Sequence, residues 1–162
     1  MKKLITLLST LAAALALSAC GGGAVIEDAL VASYSQGEMV TITQRYDAQG
    51  DKAVKMTQKA VIKTAGFDEV TLESIHSEGE NTKSKLAGVE GASYQFDETD
   101  GEITETIVLA LNDPEAVKQI VKSGVLPVGG ANADKVNQIS IKATKDNLEQ
   151  QGFTIEKAPE EK

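Results

Sequence analysis

Between Val40 and Lys63 the chain alternates with a period of two, and this pattern restricts the fold more than any other feature. Val40, Ile42 and Tyr46 alternate with Thr41, Thr43 and Arg45, while Val54, Met56, Ala60 and Ile62 alternate with Lys55, Thr57, Lys59 and Lys63. Successive side chains of a strand point to opposite faces, so such segments bury one face and wet the other. One-sided sheets of this kind are antiparallel, because parallel sheets are covered on both faces. Gln36-Gly37 and Ala48-Gln49-Gly50-Asp51 supply turn residues between the runs. The spacing predicts a meander of three strands over 29–35, 38–47 and 52–63.

Residues 67–86 lose the alternation. Acids come early (Asp68, Glu69, Glu73) and lysines late (Lys83, Lys85), the order that complements a helix dipole. Glycine inside a helix costs about 1 kcal/mol relative to alanine, so Gly79 predicts a helix kinked or interrupted there. Ala92, Tyr94 and Phe96 then alternate with polar residues, Asp100-Gly101 gives a hairpin turn, and Ile103, Ile107, Leu109 and Leu111 continue on its far side. Asp113 and Pro114 open a short helix with Val117, Ile120 and Val121 as its apolar stripe and Gly124 at its end. Ile139 and Ile141 suggest a short strand over 138–142. Thr144 then caps a last helix, which Gly152 closes with Leu148 meeting Phe153 in a Schellman motif. The expected fold class is α+β, an antiparallel sheet of about five or six strands with two or three helices packed on one face.

The start of the chain carries an address. Lys2 and Lys3 precede the apolar stretch Leu4–Leu17, and Leu17-Ser18-Ala19-Cys20 ends it at the only cysteine. The arrangement is that of a bacterial lipoprotein signal (a lipobox), whose apolar part is too short to span a membrane. A thiolate is the nucleophile that attacks an activated lipid, so Cys20 becomes the lipidation site, bearing acyl chains of the palmitate type. The expected organisation is a signal peptide at 1–19, a lipidated tether at 20–26, a single domain at 27–157 and a flexible tail at 158–162. By similarity to lipoprotein sorting, Gly21 favours the outer membrane of a double-membrane bacterium. In a single-membrane cell the protein would sit on the outer face of the plasma membrane. With Cys20 consumed there is no disulfide, and the core must hold by packing.

The net charge of −8 argues against nucleic acid as a partner and against docking on anionic lipid by charge alone. His76 is the only histidine, without a second histidine or a spare cysteine to build a triad or zinc site. The carboxylates from Asp97 to Glu102 fail the EF-hand pattern and read as a solvated turn. No cofactor, metal site or catalytic constellation is expected. The polar face of the sheet offers a basic and hydroxyl patch on an acidic protein: Thr41, Thr43, Arg45, Lys55, Thr57 and Lys59 would line up on neighbouring strands. It would suit an anionic small ligand or an envelope protein. The leading expectation is a monomeric, non-enzymatic binding or interaction module held in the cell envelope by lipid. The alternative is an envelope hydrolase whose site is built from carboxylates and hydroxyls.

The run Ile139-Ser140-Ile141-Lys142, followed by Leu148-Glu149-Gln150-Gln151-Gly152-Phe153, resembles the end of the YehR-like bacterial lipoproteins. The lipobox, the Val40–Thr43 strand and the lysine-bearing third strand are similar in order. The resemblance runs from about Tyr34 to Lys157 and is weakest over 67–86. It implies an α+β domain of unknown function, commonly lipid-anchored. It carries no catalytic residues over, only the lipidated cysteine, onto Cys20.

Overall fold

The alternating segments pair side by side into one six-stranded antiparallel sheet. It is seen in a computed structural model that describes residues 23–126 and 133–158. In chain order come β1 (Ile26–Gln36), β2 (Val40–Gln49), β3 (Lys52–Lys63), helix α1 (Glu69–Leu86), β4 (Ala92–Thr99) and β5 (Glu102–Ala110). Helix α2 (Pro114–Ser123), a 3-10 turn (Ala133–Lys135), helix α3 (Ile141–Gln150) and β6 (Thr154–Lys157) follow. The order across the sheet is β4-β5-β3-β2-β1-β6. Among the described residues the helices share one face: α1 lies over β4, α2 over β5, and α3 over β1 and β6. The fold is α+β. None of these helices is long and apolar enough to cross a membrane.

The covered face holds the core. Ile42, Met56, Ile62, Ile107 and Leu109 of the sheet are buried together with Ile75, Ile120 and Leu148 of the helices. Each such side chain contributes about 1.5–3 kcal/mol when fully buried. Three positions in the inward phase are nevertheless polar: Gln44, Gln58 and Glu105, all buried. Gln44 and Gln58 face each other across β2 and β3. The Gln44 amide donates to Gln58 Oε1 at 2.8 Å, and the Tyr46 hydroxyl donates to Gln44 Oε1 at 2.8 Å.

Helix α2 follows the sequence closely. Asp113 accepts from the amides of Glu115 and Ala116 at 2.9 Å, and Gly124 ends the helix with φ 75°. Helix α1 differs from expectation, because it runs unbroken through Gly79. The glycine is tolerated for a packing reason: a Cβ there would lie 2.8 Å from Tyr94 Oη and 3.0 Å from Phe96 Cδ2. The position lets α1 sit close on β4, and helix propensity yields to that approach.

The C-terminal region also departs in part. No strand forms over 138–142, where Ser140 makes only an isolated bridge to Lys52. Ser140, not Thr144, caps α3, accepting from the Ala143 amide at 3.2 Å. Thr144 lies buried inside the helix, its hydroxyl donating to the Ser140 carbonyl at 2.6 Å. The earlier start is enforced from the β2–β3 turn. Asp51 accepts from the Ser140 hydroxyl at 2.8 Å and from the Lys142 amide at 3.0 Å, and its carbonyl accepts from the Ile141 amide at 2.8 Å. A residue distant in sequence therefore satisfies amides that a helix N-terminus leaves open. The Schellman closure is as expected: the Phe153 amide reaches the Leu148 carbonyl at 2.9 Å and the Gly152 amide that of Glu149 at 3.0 Å. The ring of Phe153 then meets Tyr34 with centroids 5.6 Å apart. Beyond it β6 pairs with β1, an edge strand absent from the sequence reading. Cys20, most of the loop 126–132, and residues 159–162 lie outside the described residues.

Candidate functional site

Two regions carry polar groups in an organised arrangement. The first is the sheet face that the helices leave open. Register places Thr43 opposite Lys59 and Arg45 opposite Thr57, so four of the six residues expected there are direct cross-strand neighbours. Thr41 faces Val61, and Lys55 faces Asp47. The central row extends further than the sequence suggested. Thr154, Ser33, Thr43, Lys59, Thr106 and Gln95 follow one another across all six strands, each a hydrogen-bonding side chain. The alternation of Ser33 with Ser35 and of Thr104 with Thr106 was the available signal for the added members.

Charge on this face is largely matched. Arg45 Nη1 stands 2.8 Å from Asp28 Oδ2, and Lys55 Nζ stands 3.7 Å from Asp47 Oδ2. Exposed pairs of this kind add little stability, but they neutralise two of the three cations expected in the patch, Arg45 and Lys55. Asp28 sits at a bulge in β1 with φ 48°, and its amide donates to Asp47 Oδ1 at 2.9 Å. That left-handed conformation, which aspartate tolerates better than most residues, aims its carboxylate at Arg45. Lys59 is exposed, and no ion pair among the described residues engages it. The face is a hydroxyl and amide surface with one unmatched cation at its centre.

The second region lies beneath α1. Glu105 is 6% exposed and shares a small cavity with Glu78, Gly79, Thr82, Ile62, Ile75 and Phe96. The cavity volume is about 10 Å³, room for one water molecule. The Tyr94 hydroxyl is buried and faces the Glu105 carboxyl, too far or too bent for a well-formed hydrogen bond but close enough to bear on its ionisation. Outside Gly79 and Phe96 a shallow cleft of about 270 Å³ is lined also by His76, Glu80 and Glu98. His76 Nε2 stands 3.1 Å from Glu98 Oε2, and its ring meets the edge of Phe96 with centroids 5.7 Å apart. Among the described residues no group of three or more His, Cys, Asp or Glu is placed to hold a metal ion.

Burial pushes the Glu105 carboxyl above its ordinary value of 4.5; the Tyr94 hydroxyl opposes the shift and the Glu78 charge adds to it. Burial likewise raises the Tyr94 hydroxyl, reinforced by the negative charge of Glu105. An acid whose folded pKa is raised binds more protons folded than unfolded, so stability falls as pH rises. The contribution of Glu105 is complete below pH 4.5 and is lost as pH climbs through the raised value. Glu105→Gln should therefore match the wild type in acid and gain stability over it with increasing pH, in urea titrations across that range. A gap that narrows with pH would overturn this reading of the carboxyl. The signal for Glu105 lay in β5, where one acid interrupts the phase Ile103, Ile107, Leu109.

The family model described as "Protein of unknown function (DUF1307)" matches residues 32–154. Among curated proteins none matches the chain. The solution structure of YehR from Escherichia coli is similar with a TM-score of 0.59 at 17% identity, over 86% of this chain and 96% of that one. A solution structure from Streptococcus pneumoniae is similar with a TM-score of 0.52 at 12% identity, over 88% of this chain and 91% of that one. At such identities the likeness concerns the fold.

Proposed function

The chain belongs to the DUF1307 family of proteins of unknown function, and within it we propose a non-enzymatic interaction module anchored in the cell envelope by lipid on Cys20. The observation that carries the reading is the one-sided sheet. Its helices occupy one face, and the other displays an unbroken polar row across six strands. A flat surface of this kind engages a partner through distributed hydrogen bonds rather than through a pocket. Lys59, at the centre of the row and unmatched by an acid, makes the partner surface acidic: an envelope protein or an anionic ligand.

The anchor motivates the location. The lipobox, the single cysteine and an acidic net charge that disfavours adhesion to anionic lipid all agree with attachment through acyl chains. The helices on the far side of the sheet leave the polar row free for a neighbour in the envelope.

Site-specific photo-crosslinking in cells tests the reading. A crosslinker at Thr43 should capture a defined partner, whereas one at Glu73, exposed on α1, should not. Lys59→Glu should reduce capture from Thr43 about tenfold, equivalent to ~1.4 kcal/mol of association. Equal capture from Thr43 and Glu73 would refute the assignment of this face.

A further inference from the structure

We propose that the outer edge of β4 takes up an extended basic segment of a partner protein as an added strand, whose alternate side chains enter the shallow cleft beside α1. β4 ends the sheet and pairs only with β5. The ladder fixes which of its backbone groups point outward. The Ala110 amide donates to the Gly91 carbonyl at 2.7 Å, whereas the Ala92 amide turns away from β5 to the Val89 carbonyl at 3.2 Å. Antiparallel partners alternate between exchanging both bonds and exchanging none. Ser93, Gln95 and Asp97 therefore bond to β5, while Tyr94, Phe96 and Glu98 turn their amides and carbonyls to the outside. Among the described residues no backbone group meets them there.

An open edge is a template for another strand, and native sheets blunt it by brevity, lysine, proline or a bulge. The opposite edge is blunted in this way: β6 has 4 residues, shifts register against β1 and ends in Lys157. β4 has 8 residues, keeps one register along β5 and contains neither lysine nor proline. Helix α1 stands over β4 and leaves beside it the cleft of about 270 Å³ lined by His76, Glu80, Phe96 and Glu98. An added strand would send alternate side chains to opposite faces. On the open face they would lie beside Ser93, Gln95 and Asp97, where hydroxyls would prolong the polar row. On the other face they would enter the cleft. Glu80 is paired with Lys83 and Glu98 with His76, both in exposed pairs. Asp97 and Asp100 have no ion pair among the described residues. The backbone ladder therefore supplies the affinity, as in other cases of strand addition, and the acidic surroundings select a basic segment over an acidic one.

Titration calorimetry of the full chain in detergent micelles tests the edge, with a short capped peptide that alternates threonine with arginine. Saturable binding is expected, together with slowed hydrogen exchange at the amides of Tyr94, Phe96 and Glu98. The same peptide with every backbone amide methylated keeps its charge and loses its donors, and should bind at least about tenfold more weakly. Replacing its arginines by glutamate should weaken it by a similar factor. Glu98→Pro removes one outward amide at a position where an edge strand accepts proline, and should also lower affinity about tenfold. The methylated peptide reads the same contact on the wild-type chain, so the test stands even if that variant misfolds. The proposal fails if no saturable binding is seen or if the methylated peptide binds equally, since charge alone would then hold it. It fails too if the glutamate peptide binds equally, if protection appears elsewhere than on β4, or if a folded Glu98→Pro variant binds like the wild type. None of these outcomes depends on the open face or on its partner.

Discussion

Tyr46→Ala should destabilise the domain by about 3–5 kcal/mol, the range for removing a large aromatic side chain from a core. Domains of this size are stable by only about 5–15 kcal/mol, so the variant should be largely unfolded in moderate urea where the wild type is folded. Tyr46 is fully buried in the middle strands of the sheet. Alanine leaves a cavity there and also strips Gln44 Oε1 of its donor. Burial lifts the Tyr46 hydroxyl far above its ordinary value, so at neutral pH it is a protonated donor. Tyr46→Phe separates the two effects. It keeps the ring and loses only the hydroxyl, for which an unsatisfied buried acceptor costs about 1–3 kcal/mol. Urea midpoints for both variants give the comparison. A Tyr46→Ala variant within about 1 kcal/mol of the wild type would contradict the seating of this residue.

The chain behind Tyr46 also bears on register. Gln44 and Gln58 are direct partners and bond to each other in a buried layer. Sliding β3 by one residue would turn Gln58 to the open face and leave Gln44 without its acceptor. The pair therefore penalises wrong registers by the cost of an orphaned amide, where aliphatic side chains would discriminate only by shape.

These residues mark the boundary of what the sequence makes legible. The alternation reveals strands, faces and the α+β class because side-chain direction in a strand is fixed by geometry. The apolar phase has gaps at Gln44, Gln58 and Glu105, and pattern alone treats a gap as noise. In the structure all three are buried, and two bond to each other. Gly79 misleads for a related reason: its intrinsic helix penalty is local, while its value lies in contact with Tyr94 and Phe96 of another element. The Ser140 cap was equally hidden, since Asp51 secures it from 89 residues away. Local capping signals such as Asp113 and Gly152 read correctly because donor and acceptor lie within a few residues. The open-face row falls between these cases. Residue types in each strand were visible, but their union into one line required the register, which only pairing supplies.

Cys20→Ala should release the protein from the membrane while leaving the melting temperature of its domain unchanged. Acyl chains contribute about 0.8 kcal/mol per buried CH₂, and stable anchoring takes two such chains or one chain with a basic patch. Without acyl groups the remaining attraction would have to come from charge, and a chain with net charge −8 is repelled by anionic lipid. The first described contact of the chain lies close by: Gln49 donates to the Gly23 carbonyl at 2.6 Å, and β1 begins at Ile26. From Cys20 to Gly23 an extended chain reaches only roughly 10 Å, at about 3.3–3.6 Å per residue. A lipid on Cys20 would therefore hold the N-terminal end of β1 near the membrane surface and restrict where the open face can search for a partner. Fractionation after a carbonate wash, with metabolic labelling by an alkynyl fatty acid, reads both retention and acylation. The wild type should be labelled and sediment with membranes, and the variant should be unlabelled and soluble. A variant that still sediments with normal processing would refute the anchor, and with it the constraint on the open face.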